Sequence, residues 1–244
     1  ADFSTSYTIN TLTTTNDAVI NGLTVGKGAN AVATNTVLGD DALDAAVTGG
    51  SNVAVGYQSL TANTSGASNT AVGRESLSAN TTADQNTAVG MYALRQTSTG
   101  GNNVAMGYAS LLTNTTGIGN VALGHNSLYA STTSSNNTAL GTNALVANTT
   151  GAANTALGSG ALDTNTTGAT NTAVGYLSSF TNLSGTNNVS VGQRSLYSNT
   201  TADDNVAVGK ESLYANTTGT SNTAVGTNAL AANTTGTNNV AIGE

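Results

Sequence analysis

The chain has 244 residues and a net charge of −7, and charged side chains make up only 7% of it, far below the roughly 25% of ordinary soluble domains. Its five basic residues, Lys27, Arg74, Arg95, Arg194 and Lys210, are scattered in sequence and give no footprint for nucleic acid. The absence of Cys excludes disulfides, thiolate nucleophiles and cysteine metal sites, and no apolar run approaches the ~20 residues that span a bilayer.

The sequence opens Ala1-Asp2 without Met and stops at Glu244, one residue into what would be a further repeat, so both ends read as cut from something longer. Residues 1–34 are irregular. Tyr7 to Leu12 alternates, as does Ala18-Val19-Ile20, which predicts short strands. Gly22 lies 17 residues before Gly39, but Ala18 stands where later coils carry Asn. This portion is expected to be an atypical first coil or a cap over an open core.

Residues 35–244 form one array. The motif Asn-x-x-x-Gly recurs from Asn35–Gly39 to Asn239–Gly243, thirteen times, every 17 residues without insertion or deletion. A strict short period is the signature of a solenoid. Within each coil the Gly is preceded by Thr or Val, a small residue and an aliphatic, as in Asn52-Val53-Ala54-Val55-Gly56. Three residues after the Gly comes Ala or Ser, and four after comes Leu, from Leu43 to Leu230; the one departure is Leu177-Ser178-Ser179-Phe180. Most coils close with Asn-Thr-Thr-Gly or a near copy, as at Asn148-Thr149-Thr150-Gly151. Residues β-branched, Asn and Gly dominate, there is no Pro, and the apolar period is not 3.6.

The expected fold is therefore all-β: a parallel β-solenoid, or β-roll, with two short strands per coil joined by two turns. Glycines are expected at positive φ and Asn in ladders along the stack. Alternation puts Val53 and Val55 on one face and Ala54 on the other. The core then looks thin for the ordering cost of ~1–2 kcal/mol per residue. That thinness points to a second buried face, an inter-chain packing stripe of Ala54, Ala71, Ala88, Ala105, Ala122, Ala139, Ala156, Ala173, Ala207, Ala224 and Ala241.

The stretch Asn52-Val53-Ala54-Val55-Gly56-Tyr57-Gln58-Ser59-Leu60 resembles the head repeats of YadA-type trimeric autotransporter adhesins, and the related repeats of bacteriophage tail fibres and bacterial trimeric surface fibres. The resemblance covers residues 35–244. It implies a left-handed, trimeric β-roll in an extracellular fibre, on a bacterial cell surface or a phage virion. The 17-residue repeat with its Asn-Thr-Thr-Gly turn is longer than that of the adhesin heads.

Chemistry is sparse. His125 follows Gly124 at a variable turn position with no nucleophile beside it. Asp84 and Asp203-Asp204 fall in turns, and Asp40, Asp41 and Asp44 at the start of the array read as polar capping of its edge. Neither a calcium-binding repeat nor a pair of facing carboxylates is recognisable, so no catalytic residue, metal or cofactor is expected. The aromatics are the candidate ligand-binding residues. Tyr57, Tyr108 and Tyr176 follow the Gly, whereas Tyr129, Phe180, Tyr197 and Tyr214 follow the Leu position. Exposed Tyr suits a cell-surface glycan or receptor. The leading expectation is a structural, non-enzymatic fibre segment. The alternatives are a self-assembling extracellular filament and a glycan- or ice-binding solenoid, the last suggested by the paired Thr of each turn.

Overall fold

The computed structural model describes residues 18–20 and 23–243; the alternating run 7–12 and Gly22 lie outside the described residues. Among the described residues one 15-stranded sheet holds every strand, in chain order. Strand β1 (Ala18–Ile20) pairs antiparallel with β2 (Leu23–Gly26), and β2 pairs antiparallel with β3 (Thr36–Leu38). A short 3₁₀ turn at Ala29–Ala31 lies between β2 and β3. From β3 through β4 (Val53–Val55) to β15 (Val240–Ile242), each strand is three residues long and pairs parallel with the next. Register is set by the repeat: Val53 faces Thr70, Ala54 faces Ala71, and Val55 faces Val72. The array is thus a parallel β-solenoid of 17-residue coils. At ~4.8 Å per coil its thirteen parallel strands span about 60 Å.

Each coil carries one strand, not the two expected. The segment through the Leu hydrogen-bonds along the stack, with Leu77 N donating to Ala93 O at 3.1 Å and Glu75 N to Tyr57 O at 2.8 Å. It is not extended, because the residues two and four after the Gly are left-handed: φ is 53° at Glu75 and 50° at Leu77. An L residue in that region costs roughly 1–2 kcal/mol, whereas full burial of a Leu side chain contributes about 1.5–3 kcal/mol. Leu43 through Leu162, with Leu196 and Leu213, are fully buried. Burial outweighs the backbone cost, and the stacked amide bond adds to it. Leucine at a left-handed position is poor local chemistry that the core rescues.

The interior is built from that Leu column facing the strand's central Ala. Ala54, Ala71, Ala88, Ala105, Ala122, Ala139, Ala156, Ala173, Ala207 and Ala224 are all fully buried within the single chain. The expected inter-chain Ala stripe is therefore corrected: these alanines line the inside of the roll. The reason is width. With Leu reaching across from the opposite turn, a small side chain fits beneath it in every coil after β3, whose central Val37 is buried at the end of the core, and the larger Val, Leu, Ile and Met at the strand ends point outward.

Two buried polar ladders complete the core. In the first, the Asn before each strand binds the next coil: Asn69 N donates to Asn52 Oδ1 at 3.0 Å, and Asn52 Nδ2 donates to Gly66 O at 2.9 Å. In the second, the Asn of the Asn-Thr-Thr-Gly turn does the same, with Asn80 Nδ2 donating to Asn63 Oδ1 at 2.9 Å. These side chains satisfy carbonyls that would otherwise be buried without partners, which is why Asn recurs where a larger apolar group would leave them orphaned. The strand-end glycine has two reasons to be glycine. At Gly124 φ is 134°, and a Cβ there would lie 2.5 Å from the carbonyl oxygen of Gly141.

Candidate functional site

Two surfaces stand out. The first is the outward face of the sheet. Each three-residue strand turns its first and third side chains away from the core, so two columns run the length of the array. One column alternates Thr and Val in blocks: Val53, Thr70, Thr87, Val104, Val121, Thr138, Thr155, Thr172, Val189 and on to Val240. The other is wholly apolar, running from Leu38 and Val55 to Met106, Leu140, Leu157, Val225 and Ile242. Met106 is 42% exposed, Leu140 43% and Leu157 41%, so this face is open in the single chain. Neither column holds a charged residue from Thr36 to Ile242. Sequence reasoning missed this face because it placed the larger aliphatics inside.

The second surface lies on the turns that follow the glycines, where the charged and aromatic residues collect. The seventeen-residue period stacks side chains of successive coils into columns. Phe180, Tyr197 and Tyr214 form one: their rings stack nearly parallel, 5.4 Å and 5.2 Å between centroids at 8° and 11°. Each stacked pair contributes roughly 0.5–1.5 kcal/mol beyond area burial. The stacking occupies both faces of Tyr197, so a sugar ring has only its edge to meet. That turns the expectation for Tyr197 from ligand platform to strut. Phe180 does not stand in for the missing Leu either; Ser179 takes the core position, with the left-handed φ of 49°.

A second group joins the N-terminal coils of the array. Tyr108 stacks on His125 at 5.3 Å and meets Tyr92 edge to face at 6.0 Å. The Arg74 guanidinium lies 5.6 Å from the Tyr57 ring and 6.0 Å from the Tyr92 ring, and Arg95 lies 5.1 Å from Tyr92. Both arginines pair with one carboxylate, Arg74 Nε at 3.1 Å and Arg95 Nη2 at 2.7 Å from Glu75. The sequence reading had the basic residues scattered. Arg74 and Arg95 are 21 positions apart, one coil plus four, which the period converts into neighbours. Tyr92 and Glu75 were not singled out from sequence; they lie 17 positions apart, and that one-coil spacing was the available signal. Tyr57, Tyr108, Tyr129 and Tyr176 are exposed, and Tyr129 and Tyr176 join no ring stack among the described residues.

The acidic residues of the turns are engaged by their own chain. Asp84 Oδ1 accepts from Ala67 N at 2.7 Å, Asp203 Oδ1 from Thr186 N at 2.6 Å, and Asp41 Oδ2 from Gln58 Nε2 at 3.3 Å. Asp84 and Asp203 reach back one coil and Asp41 reaches forward one, a use that asks for no metal. Among the described residues no three His, Cys, Asp or Glu side chains gather into a group that could hold a metal ion. The first Thr of each turn is also engaged, Thr64 Oγ1 donating to Thr81 O at 2.9 Å, so the paired Thr leave a single exposed hydroxyl column rather than a flat two-column face. Compared with known proteins, the sequence matches no family model, no curated protein and no solved structure.

Proposed function

We propose that this chain is a rigid, non-enzymatic fibre segment that assembles as a homotrimer and spaces or presents a receptor-binding surface on an extracellular fibre, an adhesin or a phage tail fibre. The outward sheet face carries this reading. It is uncharged and about 60 Å long, with one column wholly aliphatic and the other divided between Thr and Val. Taken as roughly 10 Å wide, it offers a strip on the order of 600 Å², near one partner's share of a standard interface. A continuous exposed aliphatic column on a face of this size marks an interaction surface. The occupant that matches side-chain columns repeating at every coil is another copy of the same rod. Two flanking copies around a three-fold axis let each chain bury this strip. The test is native mass by light scattering, alongside a variant with a charge on the strip.

One observation favours a second reading. The Thr of the outward column (Thr70, Thr87, Thr138, Thr155, Thr172 and Thr223) lie beside the aliphatic column on a regular sheet, a surface that could order water or ice. A chain that stays single in solution and produces thermal hysteresis would favour that reading over the fibre.

A further inference from the structure

The turn surface holds a groove of about 350 Å³ shaped by three consecutive coils. Gln58 comes from the first, Glu75 and Ser78 from the second, and Arg95 and Gln96 from the third. Tyr57 and Tyr92 flank it through the arginine that lies against both rings. None of the lining residues belongs to a strand, so the groove is on a different side of the coil from the apolar strip.

The polar groups here are held but not exhausted. Glu75 is nearly buried and uses one oxygen for Arg74 Nε and the other for Arg95 Nη2. A guanidinium has five N–H donors in a fixed fork, so most donors of both arginines are left facing water. Among the described residues the Gln96 amide makes no side-chain hydrogen bond, and the Gln58 amide uses only one N–H, toward Asp41. Two guanidiniums meet one carboxylate here, while a second carboxylate, Asp41, stands behind Gln58, so the positive charge is concentrated at the arginine end of the groove. Two of the five basic residues of the whole chain are spent on this spot.

We propose that this groove binds an acidic saccharide. Its carboxylate or sulfate meets the guanidinium donors of Arg74 and Arg95 that Glu75 leaves free, in the planar geometry arginine favours for such groups. Its hydroxyls bond the amides of Gln58 and Gln96, and its ring edge rests against the exposed Tyr57. Glu75 acts as a positioning residue that fixes both forks. The inference deepens the fibre reading by naming what the rod presents to, but the groove is complete within one chain.

The experiment is calorimetric titration of the intact chain with three probes of equal length: a galacturonate hexamer, a sulfated galactose hexamer and a neutral galactose hexamer. We expect one of the two acidic probes to bind at one site per chain, which also tells carboxylate from sulfate, and the neutral one not to bind. Arg74→Gln with Arg95→Gln is expected to weaken that binding at least tenfold, and Gln96→Ala severalfold at unchanged net charge. Arg194→Gln, outside the groove, is expected to leave it unchanged. Both groove arginines are about half exposed, but Glu75 is nearly buried and loses both partners in the paired variant; circular dichroism checks its fold, and Gln96→Ala, which breaks no ion pair, tests the groove independently. Failure of both acidic probes to bind, or binding that survives the paired arginine change, overturns the proposal. Light scattering on the same sample keeps the two readings apart: a single chain that binds retains the groove and loses the trimer, and a three-chain particle that does not bind does the reverse.

Discussion

Ser179 and Ser190 lie 2.8 Å apart, Oγ to Oγ, at the one place where the coil lacks both its Leu and its Ala. Ser178 Oγ adds bonds to Ser190 Oγ at 2.7 Å and Ser195 Oγ at 3.0 Å, and all four serines are buried. The apolar core divides here, one cluster running from Val37 to Ala173 and the other from Leu196 to Ala229. The two departures from the repeat are one substitution in two parts, since a hydroxyl in place of the Leu is tolerable only with a partner in place of the Ala.

The pair should therefore show strong coupling. Ser190→Ala alone removes the partner of two buried hydroxyls and is expected to cost about 1–3 kcal/mol. Ser179→Leu together with Ser190→Ala restores the repeat and is expected to stabilise beyond the sum of the single changes. Unfolding midpoints of the parent, both singles and the double form the cycle; additive effects would contradict the linkage.

A second irregularity has the same logic. Asn80 Oδ1 and Asn114 Oδ1 are buried without a hydrogen-bond partner. One coil further along, the ladder position is occupied by Thr97 and Ser131 in place of Asn, and neither side chain supplies the missing amide. Thr97→Asn is expected to close the gap after Asn80 and raise stability by roughly 1–3 kcal/mol. Denaturant unfolding measures it, and a loss of stability would mean the ladder is not what orders this turn.

Most of the fold is legible in the period: thirteen strands, their parallel register and the Asn ladders follow from one repeating frame. Two things were not legible, for the same physical reason. Local rules make Leu at φ near 50° improbable and a second strand natural, and they place the larger aliphatic inside and Ala outside. What decides is the narrow interior, a tertiary property. A trace of it is present in the sequence, since the strand's central position is Ala in coil after coil, with Ser190 opposite the missing Leu, while its neighbours drift among Thr, Val, Leu, Met and Ile. Tight size restriction marks the packed side. The groove at Arg95 was illegible because its residues differ from the repeat, and the eye reads departures one at a time rather than one coil apart.

Asp163 supplies a pH test. Burial raises its pKa above the usual carboxylate value. It stands in the column between Val146 and Phe180, neither of which offers it charge or a hydrogen bond. A raised folded-state pKa means the folded chain holds this proton more tightly than the unfolded chain. The contribution is thus most favourable below the ordinary carboxyl range, falls as pH rises through the raised pKa, and is constant above it. Asp163→Asn should be more stable than the parent near neutral pH, and the gap should shrink on acidification. Unfolding midpoints of both chains across the acid range check the sign; a gap that widens toward low pH would contradict it.

The central claim is that the strip of outward aliphatics is an interface between copies of this rod. The direct measurement is native mass by light scattering after size exclusion, on the parent and on a chain carrying Leu140→Glu and Leu157→Glu at the middle of the strip. Both leucines are exposed in the single chain, so the variant keeps its core and its circular dichroism spectrum. The account predicts a mass of three chains for the parent and one for the variant, because buried unpaired charges are far costlier than the contacts they replace. A parent that runs as a single chain at every concentration tested would contradict it.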